Sequence, residues 1–210
     1  MSFNYPTALK LLYAVPVIVL SSLVLYSSYG TLLSLNRVKA LESGSLNAAN
    51  HAQSLKDNTT VHHPQEWIAT ATQLTADSSE QDGLSIELLQ RALASSPHHP
   101  HAWALLSFLQ ARHAKAFDDQ AESSLQKSFA YCPYCDRALL RWRFTFALQH
   151  WEKSNEETRM AAFSGADFLR WWYLDYEFLS TVRDAALLER IPFDEYRRRV
   201  NTPVRPNELR

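Results

Sequence analysis

The sequence repeats itself. His62-His63-Pro64-Gln65-Glu66-Trp67 returns 36 residues later as His98-His99-Pro100-His101-Ala102-Trp103, and Pro97 returns at the same offset as Pro133. The stretches leading into those prolines also match: Leu89-Gln90-Arg91-Ala92-Leu93-Ala94 aligns with Leu125-Gln126-Lys127-Ser128-Phe129-Ala130. A period of roughly 20–50 residues marks stacked helical units, none of which buries its apolar face alone.

Each unit reads as a helix pair. In the middle unit Trp103, Leu106, Leu109 and Gln110 follow helical spacing. A break at Phe117-Asp118-Asp119 supplies an N-cap for the next helix, which carries Ala121, Leu125, Ser128 and Phe129 on one face and stops at Pro133. The first unit runs through Trp67, Ala71 and Leu74, breaks at 77–83, and continues through Leu84, Leu88, Leu89, Ala92 and Leu93. The third starts at Asp136 with Leu139, Leu140, Trp142, Phe146 and Leu148. It breaks at Ser154-Asn155-Glu156 and resumes with Met160, Phe163, Phe168 and Trp171. The expected layout is a helical-repeat domain over 62–190, with repeats at about 62–98, 99–134 and 135–172 and a closing helix over 175–189. Residues 191–210, with Arg197-Arg198-Arg199, Pro203 and Pro206, read as a basic extended tail.

The pattern resembles the tetratricopeptide repeat. Its signature falls on Trp103, Leu106, Ser107, Ala121, Leu125 and Pro133 in the middle unit, and on Trp67, Ala71, Leu74, Leu89, Ala92 and Pro97 in the first. The third unit keeps Leu139, Trp142 and Phe146 but lacks the closing proline. The period is 36 rather than about 34, and Gln110 stands where that family has Tyr. The resemblance implies an all-α chain built as a short stack of antiparallel helix pairs.

The N-terminal region is of another kind. From Leu11 to Asn36 there are 26 residues without a charge, bounded by Lys10 and Arg37. A membrane helix needs about 20 apolar residues, and 8–29 supplies them within an N-terminal tail and transmembrane anchor, 1–36. Pro16 is tolerated in such a helix, and Tyr26 and Tyr29 suit its interface. The rival reading is a cleaved signal peptide, with Lys10 as its basic region and Ser28-Tyr29-Gly30 as a small-x-small site. Basic residues on the two flanks nearly balance. A short tail favours the cytoplasmic side, which puts a single-pass chain in the inner membrane with its soluble domain periplasmic. Residues 37–61 read as a polar spacer or weak helix, with Val38, Leu41, Leu46 and Leu55 able to form a short one.

Composition removes most chemistry. Only four glycines are present, too far apart for any phosphate-cradling loop. A net charge of −1 argues against a nucleic-acid partner, and two cysteines cannot make a disulfide scaffold. No serine-nucleophile elbow, H-E-x-x-H or Walker motif is found. The paired acids Asp118-Asp119 and Glu156-Glu157 sit at helix starts, where they cap. The expectation is a non-enzymatic chain with no cofactor, no catalytic residues and no metal site.

Three groups of residues carry sharper hypotheses. Cys132-Pro133-Tyr134-Cys135 matches the glutaredoxin tetrapeptide, but that motif follows a strand and here an amphipathic helix precedes it. A structural turn, able to hold a local disulfide, is the competing account. His62, His63, His98, His99 and His101 fall at equivalent turns, as a metal-binding or pH-sensitive edge or as solvated turn residues. Trp171-Trp172-Tyr173 cannot all face one way on a helix, and Arg141, Arg143 and Arg170 interleave with aromatic rings. Trp103, Arg141, Arg143, Trp171 and Trp172 are therefore the candidate protein-binding residues. A single N-terminal span, degenerate repeats and the runs Arg141-Trp142-Arg143-Phe144 and Arg170-Trp171-Trp172 look like the VpsP-type accessory proteins of bacterial exopolysaccharide clusters. The function this implies is a membrane-anchored scaffold for polysaccharide synthesis or export. The alternative is an extracytoplasmic thiol–disulfide or cytochrome-maturation factor using Cys132 and Cys135.

Overall fold

The computed structural model describes residues 32–44, 46–57, 63–77 and 79–200. Residues 32–42 are helical (α1), followed by α2 (Ala48–Asp57), α3 (Pro64–Asp77), a 3-10 turn (Ser79–Gln81) and α4 (Asp82–Ser95). Then come α5 (Pro100–Ala114), α6 (Asp119–Tyr131), α7 (Arg137–Gln149), α8 (Glu156–Trp171), α9 (Tyr176–Leu188) and α10 (Phe193–Val200). No strand occurs among the described residues.

Local chemistry sets the boundaries. The Ala121, Leu139 and Thr158 amides donate to the side chains of Asp118, Asp136 and Asn155 at 2.9, 3.0 and 2.9 Å, capping α6, α7 and α8. Pro100 opens α5, where its missing N–H is no loss. Lys115, at φ +52°, turns the chain out of α5 in a left-handed cap.

Three hairpins stack in chain order. α3 packs on α4, α5 on α6 and α7 on α8, while α4 joins the first pair to α5. Hydroxyls let α5 and α6 approach closely: Ser107 donates to the Ala121 carbonyl at 2.7 Å and Ser128 to the Pro100 carbonyl at 2.6 Å. The first half of the stack has an aliphatic core that includes Leu41, Leu55, Leu74, Leu88, Leu89, Leu106 and Leu109. The second half is aromatic, with Phe144, Phe146, Trp151, Phe163, Phe193 and Tyr196, and Phe108 touches both cores. The stack does not keep its register throughout. α6 approaches α7 less closely than α4 approaches α5, and the buried Arg143 side chain lies against Phe129 across that junction.

One segment differs from its sequence reading, and a second takes up the helix that reading allowed. Within the tail expected to be extended, residues 193–200 form α10, packed on α8. Phe193 and Tyr196 lie one helical turn apart and meet Phe163 at 5.1 and 5.4 Å, and Tyr196 also meets Trp151 at 4.7 Å. That aromatic burial outweighs the repulsion expected along three consecutive arginines. Within the expected spacer, α2 buries Ala48, Ala52 and Leu55 against α3. The span at 8–29 and its signal-peptide rival lie outside the described residues. Among those described, no helix is long and apolar enough to cross a membrane.

Candidate interaction surface

An apolar groove runs between the first helices of the second and third hairpins. It has a volume of about 460 Å³ and is lined by Ala104, Leu105, Phe108, Ala138, Leu139 and Trp142, with His101 at one end. Its walls are held from behind. Phe146 stacks under Trp142 at 4.7 Å and meets Phe108 edge-on at 6.3 Å, so neither ring can swing inward without unpacking the core. His101 Nε2 lies 2.8 Å from the Asp136 carboxylate, closing that end with an ion pair when the imidazole is charged. Asp136 itself is held below the usual carboxylate range: burial works against this, but the Leu139 amide and His101 prevail.

The turn between the hairpins is tied on both sides. Cys132 and Cys135 form a disulfide with Cα atoms 5.5 Å apart. Arg143 Nη1 donates to the Cys132 carbonyl at 2.8 Å, and the Tyr173 hydroxyl donates to the Cys135 carbonyl at 3.2 Å. The bond thus links the end of α6 to the start of α7, in all-helical surroundings.

A third feature surrounds the turn from α8 to α9. Phe168 is its hub, with Tyr134 stacked at 4.8 Å, Trp172 at 5.7 Å, Trp171 edge-on at 5.1 Å and Tyr173 at 5.9 Å. Most of these rings face solvent: Tyr134 is 56% exposed, Trp171 49% and Trp172 61%, followed by Leu174 at 62% and Tyr176 at 57%. Leu174 holds φ +52°, a left-handed conformation unfavourable for a residue with a Cβ. The turn is fixed by Asp175, which is buried and accepts paired hydrogen bonds from both Arg141 and Arg137 on α7. The Arg141 and Arg137 guanidiniums hold its carboxyl well below the usual range.

These contacts sort the residues that the sequence singled out. Trp171 and Trp172 do face solvent, within one aromatic patch. Trp103 is half-buried, its indole donating to the Pro97 carbonyl at 2.8 Å and covered by Lys127 at 4.5 Å, so it closes its own hairpin. Arg141 is committed to Asp175 and also lies over Phe178 at 4.9 Å. Arg143 corrects the reading: it is fully buried, and its guanidinium sits over Phe129 at 5.1 Å, out of a partner's reach. Burial pulls that guanidinium down to about 10, against the opposing pull of Asp136. Among the histidines, His98 sits edge-on to Tyr131 at 5.0 Å, while His62 lies outside the described residues. Sequence reasoning missed the groove. Its signal is the apolar set Leu105, Phe108, Leu139 and Trp142 on the first helices, which reads as core until the faces are counted.

What the fold defines is a stack of helical hairpins with an apolar groove and an aromatic corner. No protein-family model, curated protein or solved structure matches the chain.

Proposed function

We propose that this chain is a membrane-anchored helical-repeat adaptor without catalytic activity, holding a protein partner of an envelope assembly in the groove between α5 and α7. Exopolysaccharide synthesis or export is the assembly this reading favours, with the anchor in the inner membrane and the stack on the periplasmic side. The observation that carries it is the preformed groove: a wide apolar surface, open to solvent, whose aromatic walls are braced by Phe146. Stacked helical units use such faces to hold extended partners. The first five residues of α1, 32–36, are the end of the uncharged run, with Leu32 59% and Leu35 49% exposed. Anchoring confines adaptor and partner to one surface and so raises their effective concentration.

The test is crosslinking in native membranes followed by partner identification. Leu105→Glu with Ala138→Glu places two charges in the groove at residues that are not fully buried. A loss of crosslinked partner with unchanged helical content supports the adaptor; undiminished capture refutes the groove. The second reading makes Cys132 and Cys135 a thiol-exchange centre. Under it, Cys132→Ser with Cys135→Ser abolishes function, whereas under the adaptor reading partner capture persists.

A further inference from the structure

We propose that the aromatic corner at the α8–α9 turn is a second contact with the lipid bilayer, a peripheral one that seats Trp171, Trp172 and Leu174 at the headgroup level of a neutral membrane. The proposal takes from the anchored reading only the nearness of a bilayer. Four observations carry it.

The first is the residue type. Trp and Tyr have an apolar body and a polar tip, and side chains of this form concentrate at membrane interfaces. Trp171, Trp172 and Tyr134 are all close to half exposed or more, in a patch centred on Phe168. The second is Leu174. It occupies the tip of the turn in a left-handed conformation that glycine adopts without cost, yet the chain places an exposed leucine there. The fold accepts an unfavourable backbone to present an apolar tip.

The third is charge. Asp175 takes up both Arg137 and Arg141, and Asp167 takes up Arg170 at 2.8 Å. Glu177 adds a third carboxylate beside Arg141, so the three cations around the rings are matched by three carboxylates and the corner fits a zwitterionic surface rather than an anionic one. The same pairing disfavours a sugar, which needs polar side chains beside the stacking rings that are not already engaged with one another. The fourth is rigidity. Tyr134 is carried by the disulfide-closed turn, and Tyr173 is hydrogen-bonded to that turn. The rings are therefore ordered before contact, which lowers the entropic cost of docking.

The experiment uses the full chain reconstituted in phosphatidylcholine vesicles, with and without brominated acyl chains, which quench tryptophan on contact. The wild type is compared with Trp171→Phe/Trp172→Phe, so the difference in emission reports the corner alone. Equal melting temperatures establish that the variant folds. The expected result is difference emission that is blue-shifted and reduced about twofold by brominated lipid. A further variant, Leu174→Gly, keeps the turn and weakens that quenching. Unquenched difference emission overturns the proposal. So does protection of the two tryptophans that appears only in native membranes together with a protein crosslinked at the corner. Carbonate extraction separates this from the anchor: if the chain is released, the anchored reading fails. The corner is then judged by adding the released chain to the same vesicles, where quenching supports it and its absence refutes it.

Discussion

Arg143 stands 36 residues after Ser107 and 72 after Ala71, so a small residue in two hairpins is replaced by a large cation in the third. Its stem fills the junction, and its head is satisfied by one carbonyl and one aromatic face while Nε and Nη2 find no hydrogen-bond partner among the described residues. Packing and charge therefore pull in opposite directions. Arg143→Ala, which removes both, is expected to lower unfolding free energy by about 2–4 kcal/mol in urea titrations. Arg143→Met, which keeps the stem and removes the buried charge, is expected to stay within about 1 kcal/mol of the wild type. Asp175 is the converse, a buried anion with two cations. Because its folded pKa lies below the unfolded value of about 3.9, the stabilisation is complete above that value and fades as pH falls through the folded one. Wild-type melting temperature should therefore drop steeply below about pH 4, whereas Asp175→Asn should melt lower at neutral pH and show a shallower acid dependence. Neither role was legible in the sequence. Arginine reads as surface by default, and only the tertiary approach of Phe129 and the Cys132 carbonyl makes Arg143 a core residue.

At the scale of elements, the hairpins α3 to α8 were legible because two signals agree: the 36-residue period and the helix caps. Asp118, Asp136 and Asn155 sit where the apolar pattern resets, and each accepts the amide three residues on. Asp118→Ala is expected to cost about 1 kcal/mol by thermal melting, the usual worth of an N-cap. The closing helix was read at 175–189 and found at Tyr176–Leu188. α10 was hidden because its apolar face has only Phe193, Tyr196 and Val200 among charged neighbours, with prolines close behind. Its partners, Phe144, Trp151 and Phe163, all come from the α7–α8 hairpin, well before it in the chain. A chain ending before Phe193 is therefore expected to melt lower than the full chain and to bind a hydrophobic dye, as its aromatic core meets water. A melt identical to the full chain would mean that α10 adds nothing to that core.

For the whole molecule, the two cores differ in kind. The aliphatic half uses leucine and alanine in close register, and the aromatic half uses rings to span a junction at which helices stand further apart. A helical period locates helices but not the distance between successive pairs, so the groove, whose wall α7 supplies, could not be read beforehand. The ends of the stack have a consequence for assembly. α2 lies on α3 at one end and α10 on α8 at the other. Solenoids grow by offering each end to a further copy, and head-to-tail contact that does not close leads to filaments. Here both faces are already occupied by the chain itself. Among the described residues both ends of the stack are thus covered, and a larger array would be organised by its sides rather than by end-to-end growth.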